Sequence, residues 1–156
     1  MRARTPRTTI ILTGILLITS CSGLTSPEPT STPDPCSKDI LEKIVGDFDD
    51  FKKEIDQLAE VAAATPAEDL ELIVRQMTKL KEEVEDYEFP LCAAKAQSAL
   101  FNFSFSTEQC IFYKYAQYIN VVSHPEEEAK HCDRAGLFEE GYVSMLQELN
   151  EMIAEK

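Results

Sequence analysis

The sequence predicts an all-α fold: an antiparallel up-down four-helix bundle stapled by two disulfides and preceded by a disordered tether. Beyond Cys36, apolar residues recur at steps of three and four, the spacing that places them on one face of a helix. Pro66, Pro90 and Pro125 divide this part into four segments, because a helix accepts proline in its first turn and rarely inside. Four of the five cysteines lie in residues 36–156, an even number that allows two disulfides.

The first twenty residues have the pattern of an export signal. Arginines at positions 2, 4 and 7 precede an apolar run of about ten residues, roughly half the length of a bilayer span, which argues against a membrane-anchor helix. Ile18-Thr19-Ser20-Cys21 then resembles the lipobox of bacterial lipoproteins. This resemblance, confined to residues 1–21, implies cleavage before Cys21, diacylglycerol on its thiol and an acylated (palmitate-type) amine. It implies outer-membrane sorting in a Gram-negative envelope, and otherwise the outer face of the cell membrane.

Residues 21–35 are predicted to form a Ser/Thr/Pro-rich tether. They contain almost no apolar side chains, so they cannot bury enough surface to fold. Four prolines favour a semi-extended stalk between the anchor and the domain formed by residues 36–156. Cleavage before Cys21 would remove three arginines and no acid, so the formal charge would change from −13 to −16. We therefore expect the lipid, and not charge, to attach the protein to its membrane.

The first two helical segments have the clearest pattern. Segment one, residues 37–64, carries an apolar stripe at Ile44, Phe48, Phe51, Ile55, Leu58 and Ala62. Segment two, residues 66–88, carries one at Leu70, Ile73, Met77, Leu80, Val84 and Tyr87. Between them, Thr65-Pro66-Ala67-Glu68 is typical of a capping box with proline at the first helical position. The joint is so short that we expect an antiparallel helical hairpin.

Segment three, residues 90–122, is rich in aromatic side chains. Phe101, Phe105, Phe112 and Tyr115 are predicted to share one helical face, and they are the candidates for a ligand-binding or contact surface. Residues 101–106 also alternate with the period of a strand, and residues 106–109 could cap a new helix. We predict one long helix because its length matches segments one and four. The alternative is a kink or break near residue 105.

Segment four runs from Pro125 to the end of the chain. Its apolar stripe consists of Phe138, Tyr142, Met145, Leu149 and Met152. Residues 123–126 are typical of a second capping box. Each glycine in a helix costs about 1 kcal/mol relative to alanine, so Gly136 and Gly141 weaken this segment, and we predict a kink or break near Gly136.

The bundle topology selects between the possible disulfide pairings. Cys36 and Cys92 are centred on the joint at residues 64–66, and Cys110 and Cys132 are centred close to the joint at residues 123–125. Residues equidistant from a turn face each other in a helical hairpin. Cys92 lies at the start of segment three, but segment two returns the chain to the end that carries Cys36, so the sequence predicts Cys36–Cys92 and Cys110–Cys132. Cys92 and Cys110 on one continuous helix would lie about 27 Å apart, too far to bond.

No catalytic or metal-binding constellation is recognisable in the sequence. Glu128-x-x-His131 matches half of the di-iron pattern of bundle proteins, and the second half is missing. Residues 47–50 are acidic but lack the spacing of a calcium loop. The chain has no Gly-x-Ser-x-Gly elbow and no glycine-rich phosphate loop. We predict no catalytic residues, no metal and no cofactor.

These observations predict a lipid-anchored, extracytoplasmic helical-bundle protein of the bacterial cell envelope. The first hypothesis is a non-enzymatic interaction or structural module, attached to the membrane through its N-terminal lipid and binding an envelope protein partner. The acidic charge excludes the basic surface that nucleic-acid binding requires. The alternative hypothesis is binding of a small apolar ligand in a cavity lined by the aromatic third helix.

Overall fold

Four α-helices joined by short turns make up most of the computed structural model, which describes residues 34–121 and 125–156. They are α1 (Lys38–Ala64), α2 (Glu71–Asp86), α3 (Ala94–Tyr118) and α4 (Pro125–Ala154). A 3-10 turn precedes α2 at Ala67–Asp69, and another precedes α3 at Leu91–Ala93. Within these ranges there is no strand, so the predicted all-α fold of four helices is confirmed.

The apolar stripes of the first two segments form the centre of the hydrophobic core. Their most buried members are Ile44, Phe48, Ile55, Ala62, Leu70, Ile73, Met77, Leu80 and Val84. Phe51, Leu58 and Tyr87 pack against this core while remaining partly exposed. The spacing of the apolar residues, three and four positions apart, therefore identified the inward faces of α1 and α2, because both helices bury one side and expose the other.

The start of α2 differs from the prediction. The Thr65 hydroxyl donates to the carbonyl of Val61, 2.6 Å away, and therefore closes α1. Glu68 lies in the 3-10 turn, which has no side-chain cap, and α2 begins only at Glu71. The predicted capping box at residues 65–68 is wrong, because the chain makes a separate turn after Pro66 before the α-helix starts.

The third helix is continuous through residue 105, as predicted. It contacts α1, α2 and α4, so several of its faces are covered. Ser104 and Thr107 are buried, and their hydroxyls donate to the carbonyls of Phe101 and Phe103 one turn earlier. The alternating pattern of residues 101–106 therefore distributes phenylalanine around a central helix and does not form a strand.

The fourth helix is also continuous, so the predicted break near Gly136 is wrong. Gly136 and Gly141 have open space where a Cβ would stand, so no neighbouring chain presses on the backbone there. Contacts with α3 hold α4 in place despite the cost of the two glycines.

Both predicted disulfides are present. The Cys36–Cys92 disulfide joins the chain just before α1 to the 3-10 turn before α3, and its two Cα atoms lie 6.3 Å apart. Cys110 and Cys132 join α3 to α4, with Cα atoms 4.7 Å apart. Both distances lie in the range that a disulfide requires. The pairing derived from the helical joints is confirmed.

Residues Pro33–Lys156 form one compact unit. The predicted signal and nearly all of the predicted tether lie outside the described residues, as do residues 122–124, which include the first two residues of the capping box predicted for α4. No helix in the described ranges is long and apolar enough to cross a membrane.

Candidate binding pocket

The four aromatic side chains proposed as a ligand or contact surface have different surroundings. Phe105 is 41% exposed, and Phe101 stacks beside it with ring centroids 6.3 Å apart. Phe101 and Tyr115 pack against the core. Phe112 is half-buried and meets the Tyr113 ring edge-on. None of these four residues lines the pocket that α3 forms with its neighbours.

That pocket, hereafter the α1–α4 pocket, lies between α1, α3 and the first half of α4. Its volume is about 450 Å³, which is in the range of small-molecule sites. Small and apolar side chains from all three helices form much of its wall: Ala59, Ala62, Phe103, Ile111, Ala135 and Gly136. Phe103 is the aromatic contribution of α3 to this wall, in place of the four predicted residues.

The pocket exists because the described side chains in the first half of α4 add nothing to the hydrophobic core. Among them, Tyr142 is the first core residue, seventeen positions into the helix. Before it, Ala135 and Gly136 face the alanines of α1, and side chains this small leave the space between the helices unfilled. The spacing of small residues on two facing helices therefore produces the pocket.

Specific contacts hold the first half of α4 beside α3. The Cys110–Cys132 disulfide is the covalent one, and Cys110 also lines the pocket. The Gln117 amide donates to Glu128 at 2.8 Å. The rings of Tyr113 and His131 stack with centroids 5.0 Å apart. Since these contacts replace apolar packing, the pocket depends on them for its shape.

A lysine bridges two of the carboxylates that line the pocket. Lys52 Nζ lies 2.6 Å from Asp56 and 2.8 Å from Glu139, and both carboxylates line the pocket. Burial of Lys52 opposes its charge, but the hydrogen bonds to the two carboxylates dominate and raise its pKa. Lys52 also lies over the Phe103 ring, 5.7 Å from the centroid.

A second lysine closes the C-terminal end of α1. Lys114 Nζ donates to the carbonyls of Ala62 at 2.9 Å and Thr65 at 3.1 Å. The last turn of α1 contains no basic residue of its own. Lys114 therefore satisfies carbonyls that the helix end leaves unpaired, and its charge suits the negative end of the helix dipole.

Two polar groups near α4 are buried without a hydrogen-bond partner among the described residues: the Tyr142 hydroxyl and His131 Nδ1. Burial, with the charges of Asp49 and Asp56 adding to it, raises the pKa of Tyr142 far above its ordinary value. His131 Nε2 lies 3.9 Å from Glu127. In the part of the chain that the structure describes, no three His, Cys, Asp or Glu side chains are arranged to hold a metal.

Sequence reasoning missed the α3 residues that face the pocket. Phe103, Thr107, Ile111 and Lys114 recur at steps of four, four and three, which is a helical face. The helical spacing is visible in the sequence, but the threonine and the lysine make this face resemble one exposed to solvent. The more apolar series through Phe101 and Phe105 concealed it.

Comparison with known protein families, with curated proteins and with solved structures finds no match to this chain.

Proposed function

We propose that this protein is a lipid-anchored, extracytoplasmic helical-bundle protein of the bacterial cell envelope that acts by binding a partner and not by catalysis. The observation that carries the proposal is the state of the cysteines. All four cysteines beyond Cys21 form disulfides, which persist in oxidising compartments and are rare in the cytosol. The fifth cysteine, Cys21, lies outside the described residues, at the position that resembles a lipobox.

The architecture we propose is an up-down bundle. Two contacts support a common direction for α1 and α3. The Cys36–Cys92 disulfide lies where both helices begin, and Lys114, near the end of α3, binds carbonyls at the end of α1. The single α2 between them then runs the opposite way.

Two further contacts support the opposite direction for α4. The Cys110–Cys132 disulfide joins the second half of α3 to the first half of α4. Lys156, at the end of the chain, lies 3.3 Å from Asp34, just before α1. The described part of the chain would then begin and end at the same end of the bundle.

The partner we propose is an envelope protein with a basic surface. Glu82, Glu83, Glu85 and Asp86 are exposed along α2, in a chain whose formal charge is −13. Opposite charges accelerate association and fix its orientation, and added salt weakens both effects. Binding through this surface would therefore weaken as the salt concentration rises.

Lipid attachment is tested on the full chain expressed in a bacterium fed an alkyne-bearing palmitate analogue. We expect the label and membrane association to be lost in Cys21→Ala and retained in Ser22→Ala, a matched control one position away. Intact mass should also show the processed chain four hydrogens lighter than its reduced form. A Cys21→Ala protein that stays labelled and membrane-bound would refute the proposal.

A second candidate function is small-ligand binding, and the α1–α4 pocket is the observation that favours it. Its volume and largely apolar wall are those of a ligand site. Native mass spectrometry of the purified protein would detect a retained ligand. We expect Gly136→Leu, which fills the pocket, to lose that mass, and Gly46→Leu, on a surface with open space, to keep it.

A further inference from the structure

The chemistry of the α1–α4 pocket indicates which class of ligand it takes, an inference that rests on the second candidate function. The pocket is lined by three carboxylates, Asp56, Glu128 and Glu139, against one ammonium group, that of Lys114. Lys114 donates to carbonyls of α1, and Lys52 pairs with both Asp56 and Glu139, whose two negative charges exceed its single positive one.

Among the described residues, Glu128 is the lining carboxylate that has no cation beside it. It accepts a hydrogen bond from the neutral amide of Gln117 at 2.8 Å, and no ion pair joins it to a lysine or arginine within the described ranges. A carboxylate in this position attracts a positive charge, and one hydrogen bond from an amide leaves accepting capacity on its oxygens.

The aromatic wall of the pocket favours the same sign of charge. The face of a phenylalanine ring attracts cations, and Lys52 already lies 5.7 Å from the Phe103 centroid. The three carboxylates outnumber the two lysines beside them, Lys52 and Lys114, by one charge. An anionic ligand would be repelled by this excess, whereas an ammonium ion would be stabilised by it.

We propose that the α1–α4 pocket binds a small organic ammonium ion with a compact apolar body. The body lies against Phe103, Ile111 and the alanines of α1, and the ammonium group binds the Glu128 carboxylate. The apolar wall supplies affinity through burial, and Glu128 supplies selectivity for a cation.

The test compares three probes of nearly equal shape by calorimetric titration of the full chain in detergent. These are 3-phenylpropylammonium, the neutral 3-phenylpropanol and the anionic 3-phenylpropionate. We expect the ammonium to bind at least tenfold more tightly than the alcohol, and the anion not to bind. Glu128→Gln should bring ammonium binding down to that of the alcohol, whereas Glu127→Gln, a neighbour that does not line the pocket, should leave it unchanged.

Blocking the pocket separates failure of this inference from failure of the candidate function. We expect Gly136→Leu to abolish binding of both ammonium and alcohol, and Gly46→Leu to leave both intact, with thermal melting confirming that each variant folds. Equal affinity for ammonium and alcohol, both lost in Gly136→Leu, would overturn the ammonium class and support a purely apolar site. Binding unaffected by Gly136→Leu, or no binding of any probe, would overturn the site together with the class.

Discussion

At the scale of single residues, Glu108 shows how a charge is accommodated inside the bundle. Its side chain is 10% exposed, and that of Lys81 on α2 is 18% exposed, with 3.4 Å between Glu108 Oε2 and Lys81 Nζ. The Thr78 hydroxyl donates to the other carboxylate oxygen at 2.8 Å. A buried carboxylate is tolerated only with such partners, so Glu108 fixes the contact between α2 and α3.

We expect Glu108→Ala to lower the free energy of unfolding by about 2 kcal/mol, because Lys81 and Thr78 would lose their partner in a half-buried position. Urea denaturation measures the change. Glu85→Ala, on the exposed face of α2, is the control and should stay within about 0.5 kcal/mol of the wild type. An equally small effect at Glu108 would show that this ion pair contributes no stability.

Tyr142 presents the opposite case, a buried hydroxyl without a protein partner among the described residues. We expect Tyr142→Phe to keep or increase the free energy of unfolding, by up to about 1 kcal/mol, because the variant no longer buries an unpaired hydroxyl. A loss of more than 1 kcal/mol would indicate that the hydroxyl is well bonded in solution.

The same tyrosine predicts a pH dependence. Its pKa is raised above the ordinary value of 10.0 in the folded protein. Below pH 10 the phenol is protonated in both states and its contribution to stability is complete. Above pH 10 the unfolded chain ionises first, so stability falls by up to about 1.4 kcal/mol per pH unit. Urea denaturation from pH 9 to 11 should show a steeper decline in the wild type than in Tyr142→Phe, and parallel curves would contradict the assignment.

At the scale of helices, the end of α1 depends on a residue fifty positions later. Lys114 binds two carbonyls there, and no basic side chain in the last turn of α1 could replace it. This contact couples the ends of α1 and α3.

We expect Lys114→Met to cost about 1–2 kcal/mol, because methionine keeps the apolar stem but leaves the carbonyls without their charged donor. Hydrogen exchange should also show faster opening of the amides in the last turn of α1. Lys53→Met, on the exposed face of the same helix, is the matched control. The expectation fails if both variants have the same stability and exchange.

At the scale of the whole molecule, the two disulfides restrict the unfolded chain to different extents. The sequence separations are 56 residues for Cys36–Cys92 and 22 for Cys110–Cys132. The chain-entropy estimate is then about 4 and about 3 kcal/mol respectively.

We expect the double variant Cys36→Ser/Cys92→Ser to lose more stability than Cys110→Ser/Cys132→Ser, as measured by thermal melting. Cys110→Ser/Cys132→Ser should nevertheless have the larger local effect, because this disulfide holds a half-helix whose described side chains include no core residue. Hydrogen exchange in residues 125–138 should therefore accelerate most in Cys110→Ser/Cys132→Ser. Unchanged melting under reductant would argue against a stabilising role for both bridges.

The sequence by itself determined the class of the fold and both disulfides. The stripes of α1 and α2 are buried as the spacing predicted, since a helix with one covered face must carry its apolar residues at steps of three and four. The three prolines marked the joints because proline is excluded from helix interiors. With the joints known, the positions of the four cysteines predicted the pairing that the structure contains.

Only the tertiary structure decided which side chains of α3 are buried, and where the pocket lies. A helix that contacts three others has several buried faces, so an apolar stripe no longer identifies the inward one. Phe105 is exposed, while Ser104, Thr107 and Glu108 are buried because hydrogen bonds satisfy them. The pocket is a space left by small residues on two helices distant in sequence, and its position depends on how those helices pack.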